Sequence, residues 1–326
     1  MQCSRRGKKV KPEHECIAVT GATSFIGRHL IKKLSERTDV DLRLLAYSNT
    51  VPYPTNEWNI KAFKGDLLQP ESLEGFLRPG CTVVNLVNLK SASERDNLTA
   101  MTNLAVICRN ARIKRLIQCS TAVVVGNVPD DNITEETLCH PARGYETIKY
   151  KVESLCKELS AGHFELAFLR PTAVFGAGGK NLMKLVEDLN HEKRFINYLR
   201  SCLFNHRRMN LVFIDNVVAA LIFLADSNRK LDGDVFLISD DDDPKNNYRD
   251  VEEILMRRLG HRDYAIPRLP LPGSVLAFLL KLAEKSNVNP DRVYIARKIQ
   301  NAGYRKVCSF EAGLEAFVNS YKQGGH

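Results

Sequence analysis

The chain lacks any apolar run approaching the roughly 18 residues that a membrane-spanning helix needs. Its first residues, MQCSRRGKKVK, also lack the apolar stretch of a secretory signal. A soluble protein with no membrane partner is therefore expected, with residues 1–14 as a flexible basic tail outside the fold. None of the nine cysteines forms a C-x-x-C pair or a zinc-ligand spacing, so no metal site is expected. Cys16, Cys81 and Cys119 sit within apolar runs where free thiols pack as small hydrophobes, which suits a reducing cytoplasm. Strong charge is missing as well. Of the formal net charge of +9, Arg5, Arg6, Lys8, Lys9 and Lys11 supply five, leaving +4 for everything that follows. A field that weak makes no case for nucleic acid, and suits an anionic cofactor or substrate equally well. No internal repeat or low-complexity segment is present.

What the sequence does have is an alternation of short apolar runs with amphipathic stretches. The runs are CIAVT (16–20), LRLLAY (42–47), TVVNLV (82–87), RLIQCS (115–120) and FELAFL (164–169). Helical patterns fall at Phe25–Arg37, Arg95–Arg112, Tyr145–Leu159, Asp215–Asp226 and Tyr248–Leu259. Strands alternating with crossover helices predict an α/β fold with a doubly wound parallel sheet. After Pro171 the pattern loosens into a glycine-rich and basic stretch to Arg208, and it loosens again from DDDDPKNN (240–247). The expected organisation is a dinucleotide-binding domain from 15–175 and 209–239. A smaller, mainly helical C-terminal substrate lobe takes 176–208 and 240–326.

The segment TGATSFIG (20–27) follows the first strand and opens the first helix. Exposed N–H groups at a helix N-terminus and the helix dipole can together hold a pyrophosphate. Gly21, Thr23, Ser24, Phe25, Ile26, Gly27 and Arg28 are accordingly the cofactor-binding candidates here. Ser24 stands where the middle glycine of a G-x-x-G-x-x-G loop would be, putting a hydroxyl where backbone usually approaches phosphate. At the end of the second strand Ala46, Tyr47 and Ser48 replace the carboxylate that an NAD enzyme sets against the ribose 2′-hydroxyl. The cofactor is thus NAD(P), with NADP favoured and Ser48 and Arg28 as candidate partners of its extra phosphate.

Tyr145 and Lys149, four apart in GYETIKYKVESL, share one face of a helix. A phenol with a pKa near 10 is a poor base at neutral pH, but a neighbouring ammonium favours its phenolate and makes it a proton shuttle. Thr121, at the end of RLIQCS, can hydrogen-bond the substrate oxygen, with Ser120 as the alternative donor. Tyr294 and Lys298 repeat the spacing without a phosphate loop or strand end upstream, and read as two solvated helix neighbours.

Together these blocks resemble the extended short-chain dehydrogenase/reductases, also called the NAD-dependent epimerase/dehydratase family, over nearly the whole chain after Glu15. The resemblance implies a Rossmann sheet, with TGATSFIGRHL as the cofactor loop and GDL (65–67) as the adenine contact through Asp66 and Leu67. It gives Thr121, Tyr145 and Lys149 the catalytic roles, sets Thr172 beside the nicotinamide, brings Lys90 to the cofactor phosphates, and matches Asn97 to a common asparagine. NLM (181–183) and RRMNLVFIDNVVAAL (207–221) are similar to blocks of sugar-nucleotide members, which implies that Asn181 and Arg208 hold a nucleoside diphosphate. The branch implied is that of 4-ketoreductases and 4-epimerases serving polysaccharide synthesis, with a homodimer as the expected assembly. Val125 and Ala173 depart from the tyrosine and asparagine usual in epimerases. Three readings stay open: turnover of a nucleotide-linked sugar at C4, reduction of an uncharged steroid- or flavonoid-like ketone, or a non-catalytic dinucleotide-binding regulator.

Overall fold

A computed structural model describes residues 14–47, 59–89, 92–142, 144–269 and 289–324. The first strand, β1 (Glu15–Thr20), is followed by α1 (Phe25–Ser35), β2 (Val40–Ala46), β3 (Ile60–Lys64) and β4 (Thr82–Asn85). Next come α2 (Glu94–Asn110), β5 (Arg115–Cys119), the two-residue β6 (Asn132–Ile133), α3 (Gly144–Ser160) and β7 (Glu165–Pro171). Seven strands form one sheet in the order β10-β7-β5-β4-β1-β2-β3, where β10 is Asp232–Ile238, and each pairing is parallel. The order reverses between β1 and β4, and in such sheets the crevice at the reversal is where a ligand enters.

Both faces of the sheet are covered. In α1, Gly27, Leu30, Ile31 and Leu34 repeat at helical spacing and turn one stripe inward. That stripe packs with Val217, Leu221 and Leu224 of α6 (Ile214–Asp226) in one apolar cluster. Each such side chain, fully buried, contributes roughly 1.5–3 kcal/mol. The opposite face carries α2 and α3, whose Leu104, Cys108, Val152 and Cys156 close a second cluster. The doubly wound sheet expected from the alternation is the fold observed.

Two segments differ from the reading of the sequence. The stretch to Arg208 contains two helices, α4 (Met183–His191) and α5 (Arg194–Phe204). Their buried positions are few and partly polar, Val186, Asn197, Ser201 and Cys202, so no apolar period marks them. The strand β3 passed unnoticed because it is the sheet edge and keeps only Ile60 buried. Short parallel pairs join β8 (Ala173–Phe175) to β9 (Leu211–Phe213) and β6 to β11 (Val293–Tyr294). The remaining helices are α7 (Tyr248–Leu259), α8 (Arg297–Asn301) and α9 (Phe310–Gln323). Tyr294 and Lys298 are thus not helix neighbours: Tyr294 is a buried strand residue, and Lys298 pairs with Asp234 at 3.1 Å.

The thiols need a correction. Ile17 pairs with Thr82, which sets Cys16 and Cys81 side by side one residue earlier, and the two are joined as a disulfide with Cα atoms 4.6 Å apart. Strand register, which a single sequence does not reveal, makes this contact. Cys119 is a free buried thiol as expected, and Cys108, Cys139, Cys156, Cys202 and Cys308 are free too. Among the described residues no helix is long and apolar enough to cross a membrane, and no cluster of metal-ligating side chains occurs.

Candidate active site

The carboxyl ends of β1, β4 and β5 are tied together by side chains. Thr20 donates through its hydroxyl to Asn85 Oδ1, and Asn85 Nδ2 donates to Gln118 Oε1 at 2.7 Å. All three are buried, so this belt fixes the strand ends from which the loops of the site spring. Sequence reading passed over it, although a polar residue closing an apolar strand run is a visible signal.

Above the belt lies a cavity of about 970 Å³. Ser24, Phe25, Ile26 and Arg28 form one wall, Thr121, Tyr145 and Lys149 another, and Thr172 and Asn181 a third. Nine of the candidates named from sequence thus meet in one place. Gly21 and Gly27 shape the first wall from beneath. Gly21 has φ +70°, and a Cβ on Gly27 would lie 2.3 Å from the Gly21 carbonyl oxygen and 2.9 Å from that of Ala22. Both obstacles are backbone, so Gly27→Ala has to open the loop. Its expected result is a loss of nucleotide affinity of roughly tenfold or more, checked by titrating variant and parent with NADH and NADPH.

Ser24 does not aim its hydroxyl at the ligand space. It is the N-cap of α1, and its Oγ accepts the Gly27 N–H at 3.1 Å. The N–H groups of Phe25 and Ile26, first and second in the helix, have no intrahelical acceptor, and both residues line the cavity. These two donors, the helix dipole and Arg28 fit a pyrophosphate. Thr23 is exposed at the loop tip, outside the lining.

On the second wall, Thr121 caps a 3-10 turn over Ala122–Val125, its Oγ1 accepting the Val123 N–H at 3.4 Å. Ser120 is buried, and its Oγ makes no hydrogen bond. Lys149 is buried with its Nζ 6.0 Å from the centre of the Tyr145 ring. Partial burial pushes the Tyr145 phenol up to about 12, and the Cys119 thiol adds to the rise. Burial lifts the Cys119 thiol to about 11 against the pull of the Lys149 charge. A phenol that holds its proton at neutral pH, a hydroxyl beside it and a buried ammonium behind it can together donate a proton to an oxygen in the cavity. Loss of that proton needs further positive charge near the ring.

Other candidates sit elsewhere. Asp66 and Leu67 lie beyond the end of β3, outside the cavity lining, and Asp66 Oδ1 accepts the Leu68 N–H at 2.9 Å. Arg208 is also outside the lining. Its backbone N–H donates to Pro290 O and its Nη1 to Asp243 O at 3.3 Å. Asn181 lines the cavity while donating to Val174 O at 2.7 Å. Asn97 donates to Leu89 O and Ser93 O, holding the chain that leads into α2. Ser48 and Lys90 lie outside the described residues. The cavity also includes Asn88, Glu146 and Lys180, which sequence reading did not single out.

Comparison with known proteins agrees with this architecture. The chain is 24% identical over 341 residues to the decarboxylating sterol-4-alpha-carboxylate 3-dehydrogenase of Candida albicans, covering 92% of this chain and 95% of that protein. It is 26% identical over 187 residues to a 4-hydroxy-2-methyl-3-oxo-4-farnesyl-3,4-dihydroquinoline-1-oxide ketoreductase of Stigmatella aurantiaca, covering 54% and 55% of the two chains. The dTDP-glucose 4,6-dehydratase of Bacillus anthracis, solved in complex with NAD, superposes with a TM-score of 0.71 at 19% identity, over 95% of this chain and 97% of that one. The profile of the NAD dependent epimerase/dehydratase family matches residues 17–239, and the chain belongs to that family, an NAD(P)-dependent enzyme of the extended short-chain dehydrogenase/reductase kind.

Proposed function

We propose that the protein transfers hydride at a carbon bearing oxygen, interconverting a secondary alcohol and a ketone with Thr121, Tyr145 and Lys149 as its catalytic groups. The observation that carries this is their convergence, opposite the N-terminus of α1, on one cavity. A bound nicotinamide supplies the hydride acceptor in oxidation and the donor in reduction. Thr121 orients the substrate oxygen, Tyr145 gives it a proton in reduction and takes one in oxidation, and Lys149 favours the phenolate. Gly21, Ser24, Phe25, Ile26, Gly27 and Arg28 hold the pyrophosphate, Thr172 borders the ring, and Thr23, Ser48, Asp66, Leu67 and Lys90 belong to the remainder of the cofactor site. The absence of a carboxylate after β2 supports NADP over NAD. The cofactor domain is 15–175 with 209–239, and the substrate lobe is the rest of the folded chain.

For the substrate, the first reading is C4 of a nucleotide-linked sugar, of the kind used in polysaccharide synthesis, supported by Asn181 on the cavity wall. The second, an uncharged steroid- or flavonoid-like ketone, is supported by Arg208, whose side chain is engaged by Asp243 O. The names of the two curated relatives, one an enzyme of a sterol carboxylate and one of a farnesylated quinoline, point to a polycyclic substrate. A panel of UDP-, GDP- and dTDP-linked sugars beside steroid and flavonoid ketones separates them. If a sugar nucleotide is the substrate, Arg208→Ala raises KM by roughly tenfold or more through loss of a charge-assisted contact. If an uncharged ketone is turned over, Arg208→Ala leaves KM where it was.

The assembly we propose is a homodimer through the outer faces of α2 and α3, where Val106 and Tyr150 are exposed. A monomeric mass by light scattering would count against it. The compartment we propose is the reducing cytoplasm, supported by the six free thiols among the described residues.

A further inference from the structure

A second cavity, of about 900 Å³, opens between α1, α6 and the segment that leads into α9. None of its lining residues lines the catalytic cavity. Its floor follows from the composition of α6, IDNVVAALIFLAD, whose only polar residues are Asp215, Asn216 and Asp226. A helix apolar on nearly every side is normally covered on every side. Val217, Leu221 and Leu224 are buried, but Ala219, Ile222 and Phe223, at the spacing of a second stripe, are half-buried and line the cavity. Val307, 63% exposed, lines it from the segment before α9. The rim carries a sign. His29, Lys32 and Lys33 of α1 and Arg305 stand there against Glu36 and Asp215. Glu36 is taken by Lys33 at 2.6 Å, and Asp215 lies 3.9 Å from His29. Lys32 and Arg305 are exposed and pair with no carboxylate among the described residues, and Arg305 donates to the Gln300 and Tyr304 carbonyls. The chain's own amino-terminal segment, with Arg5, Arg6, Lys8, Lys9 and Lys11, has the wrong sign for such a rim.

We propose that this cavity is a second ligand site, for an amphipathic anion: an unbranched acyl chain laid along Ala219, Ile222, Phe223 and Val307, with its carboxylate at Lys32 and Arg305. The size suits such a ligand, since small-molecule sites span roughly 300–1,000 Å³ and are mostly apolar with a few polar groups that fix orientation. Chain and head have separate tasks. Each methylene taken from water adds a similar increment of affinity, whereas exposed cations contribute little energy but select the sign of the head. The site is independent of the hydride-transfer reading, because binding there needs neither nicotinamide nor turnover.

The experiment titrates the full chain by calorimetry with dodecanoate, decanoate, dodecanol and dodecyltrimethylammonium, each below its micellar concentration and with NADPH present. One dodecanoate should bind per chain, and decanoate, two methylenes shorter, should bind more weakly by roughly tenfold. Dodecanol should fall behind dodecanoate by roughly three- to tenfold and the cationic amphiphile further, with both gaps narrowing as salt screens the rim. Replacing Lys32→Gln and Arg305→Gln together should bring dodecanoate down to the level of dodecanol and leave dodecanol where it was. Val307→Glu, which sets a carboxylate beside the chain, should weaken dodecanoate by roughly tenfold or more. Melting curves and NADPH titrations establish that the variants fold and keep their nucleotide. Dodecanoate that does not bind, binds no tighter than dodecanol, or binds unchanged to the Lys32/Arg305 double variant overturns the proposal. So does a second copy of the chain seated on this face, seen as no dodecanoate binding together with a solution mass that falls in Val307→Glu.

Discussion

Tyr145→Phe is expected to lower kcat by roughly 10²- to 10⁴-fold, the usual contribution of a positioned proton donor, while NADPH still binds. The substitution removes one oxygen and keeps the ring, so α3 and the cavity wall should survive. Its sign with pH follows from the phenol's surroundings. Partial burial pushes Tyr145 up to about 12, so at neutral pH the proton is in place and reduction is supplied with its donor. Oxidation needs the phenolate, and its rate should climb as pH rises through the neutral and alkaline range. Any cation brought beside the ring lowers the value and moves that limb to lower pH without changing its direction. In Tyr145→Phe both the pH limb and most of the rate should vanish together. Lys149→Met should shift the limb to higher pH while sparing part of the rate in reduction. Measured kcat profiles in both directions would test this, and a Phe variant of near-normal rate would assign the proton to another group.

How much of this was legible in the sequence depends on the range of the contact. The pairing of Tyr145 with Lys149 is a matter of one helical turn, and spacing states it directly. The phosphate loop is likewise local, since TGATSFIG lies between an apolar strand and an amphipathic helix. Even there the role of Ser24 was misweighed: a serine just before a helix is a capping signal, and its hydroxyl turns back to Gly27. Long-range contacts were out of reach. Cys16 and Cys81 meet through strand register across 65 residues. Arg208 matches a diphosphate-binding pattern in sequence, but the chain path brings Asp243 and Pro290 to it. Glu146 gave no signal because a glutamate on a charged helix reads as solvated, and only the packing of the cavity wall shows it enclosed.

The second large effect concerns what holds α3 in position. Glu153 lies one turn beyond Lys149, and Arg170 on β7 grips it with two hydrogen bonds, Nε to Oε1 at 3.0 Å and Nη2 to Oε2 at 2.6 Å. Both side chains are buried. Burial works against the guanidinium charge, but hydrogen bonds and attraction to Glu153 outweigh it and hold Arg170 above its ordinary range. Removing either partner strands the other charge in the interior, at a cost of about 3–5 kcal/mol. Glu153→Ala and Arg170→Ala are therefore each expected to lower the melting temperature by roughly 5–15 °C. Replacing the pair together by Leu and Met should recover most of that loss, because the penalty comes from the unmatched charge rather than from the missing attraction. Activity separates the two roles. If the fork only stabilises, the double variant regains kcat with its stability. If it also sets the rotation of α3, and with it the Tyr145 hydroxyl and the Lys149 ammonium, the double variant melts near the parent but keeps a depressed kcat at unchanged KM for the nucleotide. The latter result is expected, since apolar packing fixes a helix against a sheet less narrowly than a planar fork does.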